Sequence, residues 1–184
     1  LKQVEIDLRN KLNELNSYRN KQNVLFIDRD NTIIKCKKDK YILNAKDLEF
    51  FEDRIIKIAE LSKRFNTVIM VTNQPQISMG LIKYQDVINI NSKIILKCQK
   101  LGLNISSFYI CPHHPHQGFD NEISSLKTKC FCRKPLPGLF LEASFSRNIS
   151  LSNSLLIGDS WRDEFAAINC DMKYQWAQKL DFSP

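Results

Sequence analysis

One stretch restricts this chain more than any other: Val24-Leu25-Phe26-Ile27, followed at once by Asp28-Arg29-Asp30-Asn31-Thr32. Four consecutive apolar residues fit a short strand buried on both faces, as in a parallel sheet covered by helices. Two carboxylates spaced by one residue then emerge at the C-terminal end of that strand, where open α/β sheets bind ligands. Such a pair is costly to hold unless a metal or hydrogen bonds compensate it. Taken alone, the stretch fits a strand ending in an Asp-rich turn equally well, and the rest of the chain has to discriminate.

The periodicities that follow alternate between strand and helix. Helices are expected over Asp53–Phe65, Tyr84–Leu101 (closed by Gly102), Pro137–Arg147 and Arg162–Asn169. Strands are expected over Thr67–Thr72, Ser107–Ile110, Ser154–Ile157 and Met172–Trp176, with a short extended piece at Leu48–Phe51. That alternation predicts an α/β fold, a parallel sheet with right-handed crossovers. In a parallel sheet all strand C-termini face one way, so Asp28 and Asp30, Thr72 and Asn73, and Asp159 converge on a single crevice.

Those residues, with Lys134 and Asp163, form a coherent chemical set. Asp28, Asp159 and a carbonyl near Asp30 are hard oxygen ligands suited to Mg²⁺. A carboxylate can attack phosphorus, and a second one can pass a proton to the leaving oxygen and take one from water. The transferring phosphoryl group needs donors for its oxygens, and a Thr hydroxyl, a Lys ammonium and Mg²⁺ supply them.

Cysteine usage adds a second metal. Of six cysteines, three cluster near histidines: Cys111-Pro112-His113-His114-Pro115 precedes Cys130-Phe131-Cys132-Arg133-Lys134-Pro135. Cys111, His113, Cys130 and Cys132 make a Cys₃His set suited to structural Zn²⁺, with His114 or His116 as an alternative to His113. The loop 111–135 has too few apolar residues to pack itself, and a metal supplies a reason for its order. Thiols used in this way point to a reducing, cytoplasmic setting rather than a disulfide framework.

In this order, Asp28-Arg29-Asp30-Asn31-Thr32, Thr72, Lys134, and Gly158-Asp159 with Asp163 resemble the four motifs of the haloacid dehalogenase-like (HAD) superfamily over roughly residues 23–176. The resemblance implies a Rossmann-like HAD core, with no room here for an inserted cap domain. It implies Asp28 as nucleophile, Asp30 as acid and base, Thr72 and Lys134 as phosphoryl holders, and Asp28, Asp30 and Asp159 at Mg²⁺. Asp163, one helical turn after Asp159, could cap its helix or touch the metal.

The Cys/His loop is similar to that of the zinc-loop branch, which holds heptose-bisphosphate phosphatases and histidinol-phosphate phosphatases. By that resemblance Arg133 contacts substrate, together with Tyr41, Asn73 and Gln74. The implied activity is Mg²⁺-dependent hydrolysis of a small phosphorylated sugar such as D-glycero-D-manno-heptose 1,7-bisphosphate. Histidinol phosphate is the alternative substrate, a nucleic-acid 3′-phosphatase is a weaker rival motivated only by the positive charge, and a catalytically impaired scaffold is the alternative of another class. The sequence departs from the pattern at Asn31 (usually Gly), Pro75-Gln76 (usually Ser-Gly), Ser160 (commonly Lys) and the loop Lys38-Asp39-Lys40-Tyr41.

A formal net charge of +7 suits an anionic substrate, while the lack of a dense basic block interleaved with aromatics argues against nucleic acid. No apolar run approaches the roughly 20 residues of a membrane span, and no signal-peptide pattern is present. Residues 1–22 are polar and helix-prone, with Val4, Leu8, Leu12 and Leu15 on one stripe. They fit a core-packing arm, a linker from an upstream domain or a partner helix. A first residue of Leu rather than Met fits a piece of something longer. The expected organisation is therefore an arm, 1–22, and a phosphatase domain, 23–184.

Overall fold

The computed structural model describes residues 21–37, 40–116 and 118–181. The expected N-terminal helix lies outside them, as do Lys38 and Asp39. Five strands form one parallel sheet: β1 (Val24–Ile27), β2 (Thr67–Asn73), β3 (Ile105–Cys111), β4 (Leu155–Gly158) and β5 (Lys173–Trp176). Their spatial order is β3-β2-β1-β4-β5, so the strand bearing the aspartates is the middle one. Four helices connect them: α1 (Glu52–Ser62), α2 (Tyr84–Lys100), α3 (Gly138–Arg147) and α4 (Trp161–Asn169). Among the described residues no further domain is inserted, and no helix is long and apolar enough to cross a membrane.

The unbroken apolar run of β1 has a simple cause. Leu25 and Ile27 face one core with Ile55 and Ile58 of α1 and Val87, Ile90 and Ile94 of α2. Val24 and Phe26 face the opposite core with Leu139, Phe140 and Ala143 of α3 and Ala166 and Ala167 of α4. All four strand residues are fully buried. Phe26 meets Phe140 edge to face, with centroids 5.2 Å apart, a preferred aromatic geometry.

Boundaries differ most at the end of α1, which stops at Ser62 rather than Phe65. There the N–H groups of Lys63, Arg64 and Phe65 reach back only three residues, to Glu60, Leu61 and Ser62. This tightened turn brings Asn66 alongside Asn23, where each side-chain oxygen accepts from the other's backbone N–H. The extended piece near Leu48 reduces to one antiparallel bridge between Phe50 and Ile34.

The segment after β1 has to turn sharply to present its carboxylates. Asn31 takes a left-handed conformation (φ 55°), which Asn tolerates better than most non-glycine residues. Its side-chain oxygen accepts from Cys36 N–H at 2.9 Å. Arg54 of α1, only 4% exposed, secures this turn by donating to the carbonyls of Asn31 (2.7 Å) and Thr32 (3.1 Å). The other edge of its guanidinium pairs with Asp181 near the far end of the described chain, and its face lies 4.0 Å over the Phe51 ring.

Arg54→Met keeps much of the stem but orphans two carbonyls and Asp181. It should cost about 2–3 kcal/mol in chemical denaturation and lower activity disproportionately, because the turn that loses support carries the candidate catalytic groups.

Candidate functional site

The ends of β1, β2 and β4 place Asp28, Asn73 and Asp159 around one cleft of about 260 Å³, which Asp30, Tyr41, Arg133 and Lys134 also line. Lys134 enters from the Cys/His loop and is 3% exposed. Its ammonium donates to Asp28 Oδ1 (2.5 Å), Asp163 Oδ1 (2.6 Å) and the Val71 carbonyl (2.9 Å). Asn73 fixes the backbone of the same lysine: its Oδ1 accepts from Lys134 N–H, and its Nδ2 donates to Lys134 O. Asp163 is held from behind, with Oδ2 accepting from the Ser160 hydroxyl at 2.6 Å and the Ser160 N–H at 3.3 Å. It thus caps α4 and pairs with the lysine at once. Gly158 makes this possible, because a Cβ there would come within 2.4 Å of Asp163 Cβ.

Two carboxylates clasp this ammonium, and a third, Asp159, lies beside them. Burial pushes the Asp28 carboxyl above the usual carboxylate range while Lys134 pulls it back. Burial also opposes charge on Lys134, but Asp163 and Asp28 outweigh it and keep the group firmly protonated. Asp159 is pushed up to about 6, first by burial and then by Asp163. The carboxylate oxygens of Asp28, Asp159 and Asp163 lie within 4.8 Å of one another. Hard oxygen donors with surplus negative charge at this spacing fit a divalent cation of the Mg²⁺ type.

The Asp30 carboxylate is engaged by neighbouring side chains, and Asp163 joins Asp28 and Asp159 in the carboxylate cluster. Both Asp30 oxygens accept from Arg29, at 2.9 and 3.0 Å from NH2, and Gln74 Nε2 donates at 2.7 Å. The Cys36 thiol adds a contact at 3.1 Å. Arg29, 1% exposed, is braced in turn by Asn91 Oδ1 at 3.0 Å.

Thr72 and Gln74 are fully buried behind the cleft rather than lining it, joined by a 2.8 Å bond from Gln74 Nε2 to Thr72 Oγ1. Gln76, also buried, donates to Gln74 Oε1. Tyr41, Asn73 and Arg133 do line the cleft as expected of substrate contacts, whereas Gln74 does not. Sequence reasoning missed Arg29, Asn91 and Gln76 as supports. The one available signal was Gln76 standing where the resembled family keeps a glycine.

The Cys/His residues meet as four ligand atoms. Cys111 Sγ lies 3.5 Å from Cys130 Sγ and 3.2 Å from Cys132 Sγ, and His113 Nδ1 lies 3.2 Å from Cys132 Sγ and 3.8 Å from Cys111 Sγ. All are free thiols. Such separations approximate the edges of a tetrahedron with Zn–S bonds near 2.3 Å, so the donor set fits Zn²⁺. His114 stays outside this cluster, its Nδ1 accepting from His116 N–H. The cluster is coupled to the cleft, since Arg133 donates to His113 O at 3.3 Å.

Comparisons with known proteins agree with this geometry. The family model described as polynucleotide kinase 3 phosphatase matches residues 23–183. A D-glycero-beta-D-manno-heptose-1,7-bisphosphate 7-phosphatase from Vibrio cholerae is 32% identical over 143 residues, covering 78% of this chain and 74% of that protein. A protein named as a probable D-glycero-D-manno-heptose-1,7-bisphosphate 7-phosphatase in Thermoplasma acidophilum is 31% identical over 136 residues, covering 73% of this chain and 76% of that one. Among solved structures, the D,D-heptose 1,7-bisphosphate phosphatase of B. bronchiseptica, complexed with magnesium and phosphate, superposes with a TM-score of 0.69 at 25% identity. It covers 83% of this chain and 78% of its own.

Elemental analysis should find about one zinc per chain, and Cys130→Ser should lower both that content and the melting temperature. The Asp159 shift has a definite sign. Its folded value, about 6, lies above the unfolded value near 4. Metal-free protein therefore loses stability as pH rises through that interval, and the full penalty is present above it. Added Mg²⁺ should raise the melting temperature more at pH 7.5 than at pH 5.

Proposed function

The chain belongs to the polynucleotide kinase 3 phosphatase family of HAD-like phosphatases, and from that membership we propose that its cleft hydrolyses a phosphate monoester of a small sugar, D-glycero-D-manno-heptose 1,7-bisphosphate above all, through an aspartyl-phosphate. The observation that carries this reading is the buried Lys134 ammonium clasped by Asp28 and Asp163 at the mouth of the central strand. It orients Asp28 and offsets part of the burial that disfavours its charge. Asp28 Oδ1 is occupied by that ammonium, and Oδ2 has only a long 3.5 Å contact from the Thr32 hydroxyl, which leaves it free to attack.

In this reading Asp28 Oδ2 forms a bond to phosphorus as the ester P–O bond breaks, and the departing sugar oxygen takes a proton from Asp30. Water then attacks the same phosphorus, passing its proton to Asp30, and the bond to Asp28 breaks to release inorganic phosphate. Arg29 and Gln74 orient Asp30. Arg133 and Lys134 present positive charge to the phosphoryl oxygens. Asp28, Asp159 and Asp163 would hold Mg²⁺, which when bound neutralises the charge of the phosphoryl group. Cys111, His113, Cys130 and Cys132 would hold Zn²⁺, which orders the loop that carries Arg133 and Lys134. Thiolate ligands of this kind favour a reducing cytoplasm.

Asp28→Asn should abolish turnover of every phosphate ester while retaining the fold by circular dichroism. A screen with Mg²⁺ over heptose 1,7-bisphosphate, histidinol phosphate and a 3′-phosphorylated oligonucleotide identifies the substrate. Residual hydrolysis by Asp28→Asn at the wild-type rate would refute the nucleophile.

A further inference from the structure

Asp30 is the cleft-facing tip of a buried polar network. Its side chain is 30% exposed and lines the cleft. Arg29 and Gln74, which donate to it, are buried, and so are Asn91 and Gln76 behind them. Two relays thus converge on one carboxylate. Asn91 reaches it through Arg29 from helix α2, and Gln76 reaches it through Gln74 from the segment after β2.

Asn91 stands where core packing favours an apolar side chain. It shares the buried stripe of α2 with Val87, Ile90, Ile94 and Cys98. Asn is a weaker helix former than Leu. Its amide nitrogen finds no partner among the described residues, and an unsatisfied donor in the interior is destabilising. Gln76 is in the same condition: Nε2 donates to Gln74, and Oε1 has no partner among the described residues. Stability alone does not account for either amide, but the bond each does make leads to Asp30. Arg29 NH1 donates to Asn91 Oδ1 at 3.0 Å, which fixes the guanidinium whose Nε and NH2 hold the Asp30 carboxylate.

We infer that Asn91 and Gln76 are positioning residues for proton transfer, acting on Asp30 through Arg29 and Gln74. This rests on the phosphatase reading, in which Asp30 gives a proton to the departing oxygen and later takes one from the attacking water. Neither Asn91 nor Gln76 lines the cleft. A carboxylate passes a proton only over hydrogen-bond distance, from one oxygen aimed at the reacting atom. Without Asn91, Arg29 keeps its bonds to Asp30 but loses the contact that sets their direction. Without Gln76, Gln74 loses the same restraint on the opposite side. Each loss acts on the proton-transfer steps and leaves the attack of Asp28 on phosphorus alone.

The test uses two aryl esters of similar shape with Mg²⁺ present, and follows the first turnover by rapid quench. p-Nitrophenolate departs without a proton, whereas phenolate, the anion of a group that resembles the Tyr side chain with its pKa of about 10, departs readily only when protonated. Asn91→Leu should slow phenol release by about tenfold to a hundredfold, and p-nitrophenol release by less than about twofold. Because the water step also draws on Asp30, a burst of p-nitrophenol should then precede slow steady turnover. Gln76→Met should give the same pattern through the other relay, and it carries the test where Asn91→Leu does not fold. Equal slowing of the two esters in folded variants, which a purely structural loss produces, overturns the inference, as do wild-type rates with both. Asp30→Asn distinguishes the levels. If it shows the leaving-group dependence and the other two variants do not, only the positioning role falls; if it slows both esters equally, the proton role of Asp30 falls as well.

Discussion

The site depends on one buried cation. Lys134 loses hydration that an ammonium gives up only at a cost of several kcal/mol, and it is repaid by two carboxylates and a carbonyl arranged around its three N–H bonds. Removing the lysine would leave two buried carboxylates facing each other without a counter-charge. The consequence reaches beyond the lysine. Asp28 comes from the central strand, Val71 from its neighbour β2 and Asp163 from α4, so a single ammonium ties three elements into one geometry. The lysine's own backbone is pinned to β2 by Asn73. Charge balance and fold are therefore one constraint here.

That constraint explains the Cys/His loop. A lysine can fill such a position only if its main chain is delivered accurately, and the segment from Pro112 to Pro137 has little regular structure beyond the short turn Ser124–Leu126. A Cys/His cluster that could hold a metal, Cys111, His113, Cys130 and Cys132, ends two residues before Lys134 and begins at the last residue of β3. Cluster, sheet and ammonium form a short path. Arg133, bonded to His113 O, occupies the link and faces the cleft. The cluster's ligands and the cleft-lining side chains are adjacent in the chain.

Much of this was legible in the residues. The strands announced themselves as apolar runs, the helices as 3.6-residue stripes, and the parallel topology turned scattered polar strand ends into one crevice. The Cys₃His ligands were legible because their chemistry is narrow. What stayed hidden were supports with no local signature. The bond from Arg54 to the turn after β1 spans more than 20 positions and that from Arg54 to Asp181 spans 127. Asn91, mid-helix in α2, braces Arg29 from 62 positions away. The orientations of Asp30 and Asp163 stayed hidden for the same reason. Either could reach the cleft by its position in the chain, and only Arg29, Gln74 and Ser160 determine which carboxylate turns where.

The placement of β1 in the middle of the sheet has a consequence for how the polypeptide is made. Asp28 leaves the ribosome early, but its strand is closed on one side only when β4 arrives, with Leu25 lying opposite Leu155. Until then Val24-Leu25-Phe26-Ile27 has an open edge and an uncovered face, the kind of surface that recruits other chains. The strand that carries Asp28 is thus the first part of the sheet to be synthesised and among the last to be shielded. That interval lasts while about 130 further residues are added, several seconds to tens of seconds at ordinary translation rates.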